Sequence, residues 1–191
     1  MKKHSEIPYW ITLAHLPRWT AERVNRLTVS ILHDLGMTPE EFFSLNSHDW
    51  QKRFALTEQE VADLTQAKKQ LPNNSFLAED LLSQGFQVIM LNDPAYSETL
   101  KDNLKIKRCP PLLYVKGNSC LLHKPAAAVV GSRNAEETSL RFTDTIVNNA
   151  VKNGKVIVSG FAKGIDRQAL DSALEYEGRS IIVLPQGIMT F

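Results

Sequence analysis

The sequence has almost no cysteine. Cys109 and Cys120 are the two among 191 residues. They form no C-x-x-C pair, and no second pair exists to complete a zinc site. Small thiols in a reducing compartment are the reading left. An excess of one charge is also missing: 22 Lys and Arg stand against 21 Asp and Glu, a net charge of +1. No global field therefore announces a polyanion partner, which must instead be met by a local patch. No run approaches the ~18 consecutive apolar residues of a membrane span. The first six residues start basic like a signal peptide, but His15, Pro17, Arg18 and Glu22 break any apolar stretch behind them. A cytoplasmic protein without a membrane association is expected.

Catalytic signatures are missing as well. Gly131 is not followed by the other glycines of G-x-G-x-x-G, and G-x-x-x-x-G-K-[ST] does not occur. There is no G-x-S-x-G elbow, H-E-x-x-H helix or Asp-rich calcium loop. The five histidines, His4, His15, His33, His48 and His123, are scattered. Nothing assembles a nucleophile with a base and an orienting group. The expectation is a protein without enzymatic turnover, cofactor or metal.

What is present is ordinary globular material, 43% hydrophobic and 23% charged, long enough for one or two domains. Its character changes near residue 86. Before that point the pattern is helical. Pro17 can open a helix through Trp19, Val24, Leu27, Ile31 and Leu35, with Gly36 as its stop. Thr38-Pro39-Glu40-Glu41 has capping-box spacing with proline at the first helical position. Thr57-Glu58-Gln59-Glu60 repeats that spacing before Val61, Leu64, Ala67 and Leu71, and Pro72 is expected to end this helix. A last helix over about 75–84 closes on Gly85. Residues 1–85 are thus expected to form a small helical domain.

From Phe86 onward strand-like runs appear, over residues 86–91 and 112–115. Apolar runs at 126–130, 156–158 and 181–184 then alternate with amphipathic segments at about 136–152 and 166–177. This predicts a β-α-β-α-β unit, a parallel sheet covered on both sides, within a domain spanning 86–191.

Ligands of such sheets bind outside the carboxyl ends of the strands. Two of those ends carry chemistry. In the first, Gly131 follows a strand, Ser132 can donate a hydroxyl hydrogen bond, and Arg133 can fork onto two phosphate oxygens. In the second, Ser159-Gly160-Phe161-Ala162-Lys163-Gly164-Ile165-Asp166, Lys163 can hold a phosphate as a point charge. Phe161 is either a core residue or a platform for a base, and Asp166 is expected to cap the following helix. The third end, Pro185-Gln186-Gly187, carries no charge. Between Lys101 and Arg133 seven basic residues (Lys101, Lys105, Lys107, Arg108, Lys116, Lys124 and Arg133) are opposed by Asp102 alone. Together the two loops predict a phosphate-lined groove.

Four stretches resemble the DNA-processing protein A family (DprA, also called Smf). Residues 86–100 (FQVIMLNDPAYSETL) are similar to its strand and D-x-x-Y-P-x-x-L element, and residues 110–117 (PPLLYVKG) to its P-P-x-L-Y-x-x-G segment. Residues 129–133 (VVGSR) and 159–166 (SGFAKGID) resemble its two nucleic-acid-proximal loops, with 181–187 following in place. The resemblance implies a Rossmann-like parallel sheet preceded by a small all-α, SAM-like domain. It implies a single-stranded-DNA-binding protein that protects incoming DNA and helps load the RecA recombinase in transformation, as a homodimer. The binding set it implies is Gly131, Ser132, Arg133, Gly160, Phe161, Lys163 and Gly164. Three features depart from the family pattern. Leu170 stands where members often have histidine, Ser97 where proline usually follows the tyrosine, and the chain stops at Phe191, before the family's later strands. A fragment, with an incomplete sheet, is therefore expected. The competing class is a Rossmann-like enzyme that hydrolyses nucleoside monophosphates, since Ser132, Arg133 and Lys163 can grip one phosphate as well as many. A third reading makes residues 1–85 a helical protein–protein adaptor.

Overall fold

The computed structural model describes residues 2–184 and 187. It divides into two compact units, Met1–Ser119 and Cys120–Phe191. The change of character at Phe86 marks the start of a strand, and the units part later in the chain. Among the described residues no helix is long and apolar enough to cross a membrane.

The first unit opens with α1 (Lys2–Ala14), to which the sequence pattern assigns no element. It buries Ile7, Trp10, Ile11 and Leu13 at helical spacing. Helix α2 (Ala21–Val29) begins later than Pro17. Thr20 is its cap, accepting from the Arg23 N–H at 3.2 Å, and Pro17 lies outside the helix. A π-helical turn (Ser30–Asp34) extends α2, and Gly36 at φ +61° ends it as expected. Both capping boxes form. Thr38 N–H donates to Glu41 at the start of α3 (Pro39–Ser44), and Thr57 N–H donates to Glu60 at the start of α5 (Glu58–Lys68), each at 2.8 Å. Between them lies α4 (Ser47–Phe54), capped by Asn46. Pro72 does not end α5. It sits in the first turn of α6 (Leu71–Ser83), where a missing N–H costs nothing. Phe42 centres the core of this unit, with Phe43 and Phe54 edge-on and the Trp50 indole donating to its carbonyl at 2.9 Å.

Strands β1 (Phe86–Met90) and β2 (Leu112–Lys116) pair antiparallel, Phe86 opposite Lys116, as a two-stranded sheet of their own. They are joined through α7 (Glu98–Arg108), which Ser97 caps. The Asp-x-x-Tyr element has a physical reason. The Asp93 carboxylate accepts from Ala95 N–H at 2.9 Å and makes a tight turn. That turn sends Tyr96 into full burial, where its hydroxyl donates to the Pro110 carbonyl at 2.9 Å and meets the Cys109 sulfur at 3.2 Å.

The second unit is a three-stranded parallel sheet in the order β3 (Ala126–Ala128), β4 (Val156–Ser159), β5 (Ser180–Ile182). Helices α8 (Glu137–Lys152) and α9 (Ile165–Glu175) make its crossovers. They pack on each other and on β4, burying Val147, Ile157, Ala169 and Ala173. The alternating β-α-β-α-β order is as expected, but among the described residues both crossover helices belong to one face. Strands laid down in sequence by crossovers of one hand place both helices on the same face. Val130 is accordingly 75% exposed and Val183 58% exposed. Pro185 and Gln186 lie outside the described residues.

One polar group in the first core is expected to report on acid stability. Asp63 is only 7% exposed. Burial pushes its carboxyl up, but hydrogen bonds from Gln59, Trp19 and Arg18, with the Arg18 charge, outweigh burial and hold it below its ordinary range. A carboxyl depressed by folding stabilises the protein above its unfolded pKa, and that contribution disappears as pH falls through the folded value. Urea unfolding of the wild type and Asp63→Asn should therefore differ most near neutrality. The gap should shrink below about pH 4. A gap independent of pH would remove Asp63 from this role.

Candidate nucleic-acid interface

The candidate site is built wholly within the second unit. Neighbouring parallel strands β3 and β4 run out side by side, so the loops after them are neighbours too. Ser132 O accepts from Ile165 N–H at 3.1 Å, joining the first loop to the second. The approach is close enough to require glycine at 164. Its φ is +88°, and a Cβ there would lie 2.2 Å from Ser132 O.

A single carboxylate ties the two loops. Asp166 is not a cap: Gly164 occupies the N-cap position of α9, and Asp166 is the second helical residue. Its Oδ1 accepts from Gly131 N–H at 3.1 Å and its Oδ2 from Gly160 N–H at 3.2 Å. Asp166 is 8% exposed. The backbone amides of Gly131 and Gly160, two members of the expected binding set, are therefore already engaged. Nor does the Ser132 hydroxyl project freely, since its oxygen accepts from Asn134 N–H at 3.1 Å.

The cations are differently placed. Arg133 and Lys163 are exposed and have no hydrogen-bond or ion-pair partner among the described residues. They line one groove of about 470 Å³ with Asn134, Gly164, Arg167 and Gln168. The acids lining it are Glu136 and Asp171. Asp171 is matched by Arg167, whose Nε donates to its carboxylate at 2.8 and 2.9 Å. Phe161 is not a core residue: it is half-buried at φ +60°, with the Arg167 guanidinium 4.8 Å from its ring centre. Arg167 and Gln168 were not among the expected site residues. Arg167 had a signal, since it is a basic residue in the first turn of the helix that follows Lys163.

The basic run from Lys101 to Arg133 divides between the units, with Lys124 and Arg133 in the second. Within the first unit Lys101 pairs with Glu98 at 2.9 Å, and Lys116 lies over the Phe86 ring. Behind the groove, α8 and α9 are pinned by Asp144, which accepts from Ser172 and Tyr176 hydroxyls at 2.7 Å each. That hydrogen bond raises the Tyr176 phenol above its ordinary pKa.

Known proteins resemble this chain in sequence and in fold. A family model described as DNA recombination-mediator protein A matches residues 87–191. The DNA processing protein DprA of Streptococcus pneumoniae is 37% identical over 108 residues, which are 56% of this chain and 37% of that protein. Protein Smf of a Synechocystis species is also 37% identical over 108 residues, 53% of this chain and 26% of that protein. The chain thus spans well under half the length of these curated relatives. The X-ray structure of the Streptococcus pneumoniae protein aligns with 91% of this chain and 60% of its own, at 27% identity and a TM-score of 0.52.

Gly164→Val should separate backbone geometry from surface chemistry. Valine at positive φ, facing Ser132 O, should lower stability by about 3 kcal/mol. Thermal unfolding checks this, and an unchanged midpoint would show that the loops do not cross closely.

Proposed function

The chain belongs to the DNA recombination-mediator protein A family, and from that premise we propose that its second unit binds single-stranded DNA through the groove at Arg133 and Lys163. The observation that carries this is a pair of exposed cations, unpartnered among the described residues, on adjacent strand-end loops facing one groove. Phosphates of a flexible strand need charge at intervals, which such loops supply. Unstacked bases need a flat surface, and Phe161 with the Arg167 guanidinium over its ring offers one. Gly131, Gly160 and Gly164 serve this site by letting the loops approach, and Ser132 by shaping the turn before Arg133. The activity is binding without turnover.

The finer assignments rest on the family resemblance. We place the protein in the cytoplasm, where it shields incoming single strands and passes them to the RecA recombinase during transformation and recombination, as a homodimer when the protein is complete. DNA handling belongs to residues 86–191, and residues 1–85 form an accessory SAM-like helical domain. The family description and the relatives named DNA processing protein support the DNA-handling part of this reading.

Fluorescence anisotropy with a labelled dT oligonucleotide tests the proposal, against duplex DNA and at two salt concentrations. Arg133→Ala should weaken single-strand binding by about 1–3 kcal/mol, the scale of a charge-assisted hydrogen bond. It should also reduce the magnitude of the logarithmic salt slope by about 0.7 for each phosphate that is no longer neutralised. Unchanged affinity and slope in a folded variant would take Arg133 out of the interface.

A further inference from the structure

The two strand-end loops of the second unit have the form of an anion cradle, yet the cradle is already filled. Backbone N–H groups after a parallel strand, next to the start of a helix, ordinarily receive the terminal phosphate of a nucleotide. Here the amides in that position are those of Gly131 and Gly160, and both donate to Asp166. The side chains of Ile165 and Asp166 occupy the space in front of the same glycines. A Cβ on Gly131 would lie 2.7 Å from Ile165, and one on Gly160 would lie 2.8 Å from Asp166 Oδ2.

We propose that Asp166 is a specificity-determining residue: its carboxylate occupies the cradle, excludes terminal phosphates of mononucleotides and free phosphate, and leaves recognition to Arg133 and Lys163. The physical basis is competition. The carboxylate is held by its own helix and presents one oxygen to each amide, so an external anion must displace a tethered group already in place. An anion that approached without displacing it would meet a negative charge at close range. Arg133 and Lys163 escape this conflict because their side chains reach into the groove, away from the engaged amides. A phosphodiester strand can lay successive single charges along such cations, whereas a lone terminal phosphate meets few partners there. The polymer part of this inference rests on the reading of the groove proposed above. The exclusion of terminal phosphate does not.

The test uses the full chain, labelled with nitrogen-15 and carbon-13, and follows the Gly131 and Gly160 amides by NMR. In the wild type, each amide should show a coupling across its hydrogen bond to the Asp166 carboxyl carbon. Neither should move when millimolar inorganic phosphate or adenosine monophosphate is added. In Asp166→Asn, which keeps the shape and removes the charge, both amides should shift saturably with either ligand. Saturable shifts in the wild type, or absent couplings there, overturn the proposal even if the variant fails to fold. A folded variant whose amides ignore both ligands overturns it as well. A dT oligonucleotide is the separate arm. Shifts at Arg133 and Lys163 with Gly131 and Gly160 unmoved support both readings, and no shift anywhere removes DNA from the groove while leaving the phosphate result to stand on its own.

Discussion

The second unit depends on one carboxylate. Asp166 reaches from the first turn of α9 to the loop after β3 and the loop after β4, accepting one backbone hydrogen bond from each. Without it two amides near the sheet end would lose their partner, at a cost on the order of 1–3 kcal/mol for each group left unsatisfied. The loops could then part, and the spacing of Arg133 from Lys163 would no longer be set. Glycine at 131, 160 and 164 belongs to the same construction, because each stands where a side chain would meet the opposite loop or Asp166 itself. Chemistry at the surface and packing beneath it are therefore one problem.

How much of this was legible in the sequence follows from distance along the chain. The capping boxes at Thr38 and Thr57 were readable because donor and acceptor lie three residues apart. The β-α-β-α-β alternation was readable because periodicity is local. Pro72 was ambiguous, since a proline that cannot continue one helix can equally begin the next, and the structure takes the second course. Asp166 looked like a cap because an aspartate at the start of a helix ordinarily is one. Its true partners are six and 35 residues away, which no spacing rule reveals. The pairing of β1 with β2 was hidden for the same reason: two apolar runs say nothing of which neighbour each will choose. Of the candidate site, Arg133 and Lys163 could be named from the strand ends, while Arg167 and Gln168 needed the helix placed beside them.

The helical unit solves a different difficulty. Its helices α3 and α4 are six and eight residues long, too short to persist alone. They persist because caps satisfy their first amides and because Phe42, Phe43, Trp50 and Phe54 converge on one another. Asp63 shows the same economy, since one buried carboxylate takes hydrogen bonds from Trp19 before α2 and from Gln59 within α5.

The single-sided coverage of the parallel sheet has a topological consequence. Among the described residues β3 and β5 each keep a free edge. A strand joined beyond β5 by another right-handed crossover sends its helix to the face already covered. A strand joined beyond β3 reverses the order of the sheet and sends its helix to the bare face, where Val130 and Val183 are exposed. At such a reversal neighbouring loops diverge to opposite sides and a crevice opens between them. The loop that would bound this crevice is the one bearing Arg133. A helix that buries the open apolar face thus also opens a crevice along the side of the Arg133 loop away from Lys163.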